Sequence, residues 1–232
     1  MKPKFTTQLQ FFLVRKSRKL WQLLHFFKRS LCLVLAIWLI YITVNLIFAS
    51  SRSVDALFVL GGSIRREIYV AQLSKQFPQT PILISSGSKD PCIWLIFQRE
   101  AANSQQVWLE SCAKSTFDNF YYGIPILQAW KVKRVKLITS AKQTFRATLI
   151  SKILFSSHGI WVDIDDVQEI GVPGNKENLL KTMLDLIRSL GWAVVSQFIQ
   201  PQCSHLIKLV DVDLPTWERR GFNCEHQGGL GK

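Results

Sequence analysis

Three places in this chain put polar side chains where an apolar run stops. They are Gly61-Gly62-Ser63 with Arg65 and Arg66 behind them, Ser86-Gly87-Ser88, and Thr139-Ser140 with Gln143 and Arg146 behind them. Paired glycines let backbone amides approach an anion. A helix N-terminus presents unpaired N–H groups, and an arginine one turn along adds a guanidinium. That combination suits a phosphate or carboxylate. Glu110 ends another apolar run and is the candidate general acid or base, with Ser115, Thr116 and Asn119 in the segment after it. Asp163, Asp165 and Asp166 crowd the end of a fifth run. They read as solvated loop charges rather than metal ligands, and no metal is expected. The chain has no G-x-G-x-x-G, Walker A, G-x-S-x-G or H-E-x-x-H sequence, and no visible nucleophile–base pair, so nothing names a cofactor or a reaction.

Plain helix capping competes with the ligand reading. Ser140-Ala-Lys-Gln143 has the spacing of a capping box, and Ser115 with Asp118 can cap the preceding helix in the same way. Capping accounts for these four residues without a ligand; it does not account for Arg146. Both readings stay open here.

The elements that must position these residues alternate in type. Apolar strand-like runs at 55–60, 81–86, 106–110, 134–139 and 159–164 are separated by segments of helical spacing at 64–77, 91–102, 115–130 and 141–155, and a long helix is expected at 176–199. Gly123 and Pro125 sit inside the 115–130 segment and should break or bend it. This alternation predicts βαβ units, a Rossmann-like three-layer α/β domain over 54–199, and a parallel sheet covered on both faces. Ligands of such sheets bind beyond the carboxyl ends of the strands, which is where the polar stretches fall. Asp55 begins its strand, at the opposite end, and reads as structural. Residues 200–232 read as a C-terminal tail.

Charge explains the segment ahead of the domain. Residues 1–30 hold eight basic side chains and no acidic one, leaving +5 of the net +13 to the rest of the chain. Basic groups in an arm rather than on the domain exclude a nucleic-acid partner. The run at 31–49, LCLVLAIWLIYITVNLIFA, has no charge and as a helix spans about 28 Å, close to a bilayer core. Cations before it predict a single-pass protein of the plasma (inner) membrane, N-terminus cytoplasmic and C-terminal domain periplasmic. A cleaved signal peptide is the competing reading of the same run. The arm's mixture of aromatics and cations suits membrane lipid as a partner. Cys92, Cys112, Cys203 and Cys224 lie outside the run, so a translocated domain allows disulfides in three connectivities. Cys203-x-His205 and Cys224-x-His226 match no common zinc spacing.

Taken in order, DALFVLGGSIRRE, ILISSGS, LESCAKSTFDNF and ITSAKQTFRA resemble the ElyC/SanA/YdcF family of envelope-associated proteins, in the form common in cyanobacteria. The resemblance covers about residues 54–165. It implies one shared pocket at the strand ends, formed by Gly61, Gly62, Arg66, Ser86, Gly87, Glu110, Thr116, Asn119, Thr139, Ser140 and Arg146. It also implies a role in envelope or peptidoglycan biogenesis or barrier maintenance, with an anionic or nucleotide-like small molecule or lipid-linked precursor as ligand. A non-catalytic sensing protein and a cytoplasm-facing nucleotide-dependent hydrolase or transferase are the alternatives. Where the family pattern carries a histidine in T-S-x-x-H-x-x-R-A, this chain has Gln143, whose amide cannot transfer a proton near neutral pH. Arg66 and Arg146, each in the first turns of a helix after a parallel strand, are expected to converge on the pocket.

Overall fold

The computed structural model describes residues 5–168 and 179–230, with side chains from residue 21 onward. The chain divides after Val44 into two compact units. The first element, α1 (Phe5–Ser50), is one uninterrupted helix. Its Trp21–Ser50 portion is long and apolar enough to cross a membrane, its most apolar 18-residue stretch having a mean hydropathy of 2.6. The basic arm is therefore not a separate element: residues 5–30 continue into the apolar run as helix.

The α/β unit contains β1 (Ala56–Leu60), α2 (Ile64–Ser74), β2 (Ile82–Ser85), α3 (Asp90–Arg99), β3 (Val107–Glu110), α4 (Thr116–Ala129), β4 (Arg134–Ser140), α5 (Thr144–Leu154), β5 (Trp161–Val167), α6 (Leu179–Val195), β6 (Leu206–Lys208) and α7 (Leu214–Arg220). The sheet order is β5-β4-β1-β2-β3-β6, parallel throughout except for β6. Helices cover both faces. α2 and α3 pack on Leu57, Val59, Ile82, Ile84 and Ile138. α4 and α5 pack on Phe58, Leu60, Leu83, Val135 and Leu137. Successive residues of a strand point to opposite faces, so the central strands β1 and β2, buried throughout, are apolar on both sides. Connections run one way from β1 to β3 and the other way from β4 to β5, which puts the topological switch between β1 and β4.

Three expectations are corrected. α4 runs through Gly123 and Pro125 without a break. A Cβ on Gly123 would lie 3.0 Å from the Phe58 ring, so the glycine lets the helix sit down on β1. Residues 200–232 are no loose tail: β6 extends the sheet antiparallel to β3 with Glu110 opposite Leu206, and Leu209 is fully buried against the α2/α3 core. By pairing with β3 this segment removes an exposed sheet edge. The three aspartates belong to β5 rather than to a loop after it, and two of them are ion-paired, Asp163 with Arg134 at 2.6 Å and Asp165 with Lys136 at 3.5 Å. Residues 176–178 of the expected last helix lie outside the described residues. Asp55 is structural as expected, its carboxylate accepting the Lys133 and Arg134 amides at 2.8 and 2.9 Å.

Candidate functional site

Strand alternation decides which side chains meet. Ile84, Leu109 and Ile138 face α2 and α3, so their successors Ser85, Glu110 and Thr139 face the α4/α5 side. On that side they continue rows filled by Leu83 and Leu137. Polar residues thus replace the apolar ones at the last rung of the sheet. Ser85 Oγ donates to Glu110 Oε2 at 2.5 Å and lies 2.9 Å from Asn119 Oδ1, which ties β2, β3 and α4 together. Glu110 Oε1 accepts the Cys112 and Ala113 amides at 2.5 and 2.9 Å. Burial pushes the Glu110 carboxyl above the usual range, while the Ser85 hydroxyl and those two amides pull it back. Thr139 is fully buried, and its Oγ1 has no hydrogen-bond partner among the described residues. Ser85 was not among the residues singled out from the sequence. Its neighbour Ser86 was, because the two serines are indistinguishable until the strand's register is known.

Ser86 turns the chain. It holds a left-handed backbone conformation, φ 50°, and its hydroxyl donates to the Ala113 carbonyl. Its own carbonyl lies where a Cβ on Gly61 would be, 1.6 Å away. Gly61 is therefore required by the closeness of β1 and β2. Gly62 is required by its own φ of +104°. Ser63 caps α2, its side chain accepting from the Arg65 amide.

The arginines do different work from that expected. Arg66 is buried, and its Nη1 donates to the carbonyls of Leu60 at 2.5 Å and Gly61 at 2.8 Å, satisfying the end of β1. Arg146 forms an ion pair with Asp185 of α6, its Nε 2.8 Å from the carboxylate. Among the described residues, Arg66 thus bonds the end of β1 and Arg146 bonds α6. The anion position at the start of α2 is also taken from within, because Glu225 Oε2 accepts the Ile64 amide at 3.4 Å. Glu225 follows directly on Cys224, which is joined to Cys92 of α3.

The capping box over 140–143 does not form. Residues 141–143 make a turn in which the Gln143 amide bonds the Ser140 carbonyl at 2.9 Å, and Gln143 caps α5 without a side-chain hydrogen bond. The helix starts at Thr144, whose hydroxyl donates to that same carbonyl at 2.9 Å. The Ser115 cap does form: its Oγ accepts the Asp118 amide at 3.2 Å, and Asp118 returns to the Lys114 amide at 3.3 Å. Thr116 is the first residue of α4, and Gly87 packs against Ile84, Ile93 and the Glu67 carboxylate.

Glu67 is the residue the sequence hid. It lies on the inner face of α2, fully buried, with Oε1 accepting the Ser88 amide at 2.6 Å and Oε2 buried without a partner among the described residues. Burial pushes its carboxyl up to about 7, against the Ser88 amide. In RRE it passes for a surface residue of an amphipathic helix; only a helical wheel set against Val70, Ala71 and Ser74 would have turned it inward. Between pH 4.5, its ordinary value, and about 7 the folded protein keeps a proton that the unfolded chain has lost. Stability therefore falls as pH rises through that window and levels off above it. Glu67→Gln should remove this slope. Denaturation midpoints at pH 4.5 and 8 should show the variant gaining on wild type by on the order of 3 kcal/mol at the higher pH.

Both C-x-H pairs are accounted for by disulfides, Cys92–Cys224 and Cys112–Cys203. The second borders the site, with Cys203 Sγ 3.6 Å from Glu110 Oε1. The Glu110, Cys112 and Cys203 ligand atoms lie within 4.8 Å of one another, but both sulfurs are spent on the bond they share. No family model, no curated protein and no solved structure matches this chain.

Proposed function

We propose that this is a membrane-anchored binding protein of the cell envelope, its α/β domain on the oxidising (periplasmic) side of the plasma membrane. It takes a small polar ligand at the last rung of the sheet, between Ser85, Glu110, Asn119 and Thr139. The anionic or lipid-linked class of ligand comes from the resemblance to the ElyC/SanA/YdcF family and from the envelope role that family implies. The observation that carries the binding reading is Thr139. A fully buried hydroxyl with no partner among the described residues, in a row otherwise apolar, is costly unless a further group satisfies it. Binding is favoured over turnover because the charged groups at the strand ends are engaged internally: Arg66 with the β1 carbonyls, Arg146 with Asp185, Glu110 with Ser85 and two amides. Two disulfides support the oxidising side, since such bonds persist outside the cytosol.

The test compares wild type with Thr139→Val, which keeps the shape and removes the hydroxyl. Protein purified from membranes is analysed by native mass spectrometry for retained small molecules. Wild type should carry a ligand that Thr139→Val loses, while the variant's thermal stability stays equal or rises, because an unsatisfied hydroxyl has been removed. An equally loaded variant, or a variant destabilised by more than about 1 kcal/mol, would show the hydroxyl bonded within the protein instead.

A further inference from the structure

α6 is inside out. Apart from Trp192, whose ring packs on Tyr121 at 4.6 Å, the side chains that α6 and the residue after it bury against the domain are small or polar: Thr182, Asp185, Ser189, Ala193 and Ser196. The opposite side carries Leu180, Met183, Leu184, Ile187, Leu190 and, just past the helix, Phe198, from 59% to 85% exposed. A helix on a water-soluble domain shows the reverse arrangement, its apolar stripe packed on the core. Inward small residues and outward leucines are the pattern of a helix whose surroundings are more apolar than its neighbours. With Asp185 and Arg188 within its 17 described residues, α6 is too polar to cross a bilayer and is suited to lie along one.

The attachment of α6 shows which apolar surroundings it meets. Beyond its end, Gln197 donates to the Ser157 carbonyl at 3.2 Å, and the Ser196 hydroxyl lies 3.0 Å from His158 Nε2. Gly159, next in that turn, faces Asn45 near the end of the apolar run: a Cβ there would be 3.4 Å from Asn45 Cβ. The end of α6 is thus bonded to a turn that also lies close to Asn45. Only the five residues 51–55 join α1 to β1, a reach of at most about 18 Å. We propose that the outward face of α6 is seated in the lipid interface of the membrane that holds the Trp21–Ser50 helix, giving the domain a second, non-covalent attachment that fixes its orientation on the bilayer. The inference rests on the reading of that helix as a span.

Photo-crosslinking in the full chain separates the two ideas. Benzoyl-phenylalanine replaces Ile187, Phe198 or Leu35, one at a time, and the protein is reconstituted in vesicles of phosphatidylethanolamine and phosphatidylglycerol. Irradiation should give lipid adducts at positions 187 and 198 in yields comparable to position 35. Adducts at 35 but none at 187 and 198 overturn the inference and leave the span intact. Protein–protein adducts at 187 and 198 overturn it in favour of a second copy on this face. Lipid adducts at 187 and 198 without any at 35 dismiss the span, and with it the second attachment.

Discussion

Gly61→Ala should prevent the α/β domain from folding. The added Cβ would lie 1.6 Å from the Ser86 carbonyl oxygen, 2.1 Å from its carbon and 2.6 Å from the Ser85 carbonyl oxygen. All three are backbone atoms at the end of β2, so no side chain can swing aside. To make room, β1 and β2 would have to part where the Gly61 amide bonds the Ser85 carbonyl at 2.7 Å. Parting them disturbs the rung that holds Ser85 against Glu110 and Asn119. The cost should exceed about 4 kcal/mol, beyond what ordinary substitutions do. Gly62→Ala meets only the Arg66 guanidinium at 3.3 Å and a positive φ, and should cost about 1–2 kcal/mol. Limited proteolysis of the two variants in membranes would compare them. A protease-resistant Gly61→Ala domain would show that the two strand ends lie farther apart, and would return the glycine to the ligand-contact role that the resemblance implies.

Removing the disulfides should have the next largest effect. Cys92–Cys224 spans 132 residues of sequence and Cys112–Cys203 spans 91. Bonds closing loops of that length stabilise by about 2–4 kcal/mol each, chiefly by restricting the unfolded chain. Reduction, or Cys92→Ser with Cys224→Ser, should therefore lower the denaturation midpoint steeply. It should also loosen Glu225 from the Ile64 amide, since Glu225 is held next to Cys224. Thiol trapping in intact cells tests the same bonds and the topology together. In protein denatured after trapping, Cys32 alone should be modified, as it is the one cysteine outside a disulfide. Five reactive thiols would place the domain in a reducing compartment and would remove both the disulfide argument and the periplasmic assignment.

How much of this was legible beforehand depends on the range of the interaction concerned. The alternation of apolar runs and helical spacing specifies a parallel α/β sheet, because strands buried on both faces and helices buried on one leave different periodicities in the chain. The charge-free run and its basic flank specify a helix fit to cross a membrane, and the Ser115-x-x-Asp118 spacing specifies a cap that forms. These are local properties, carried by neighbours within a turn or a strand. The same spacing at Ser140-x-x-Gln143 failed as a capping box because β4 runs on through Ser140 and α5 does not start until Thr144. Pairing with β5 up to Ser140↔Val167 outweighs a local side-chain bond.

What only the tertiary structure decided is long-range. Which of three cysteine pairings forms depends on the last 33 residues returning to β3 and α3, and nothing in their composition announces a strand of three residues. Arg66 and Arg146 carry a charge that sequence assigns to a ligand. Their partners, the β1 carbonyls and an aspartate 39 positions away, exist only once the sheet and α6 are assembled. Glu67 is buried for the same reason, the turn after β2 having closed over it. The amphipathic pattern of 179–195 is plain in the chain, but a pattern does not say which side faces in. In the folded domain Asp185 pairs with Arg146 across the α5–α6 contact and Trp192 packs on Tyr121, while Leu180, Leu184 and Leu190 lie on the outward side.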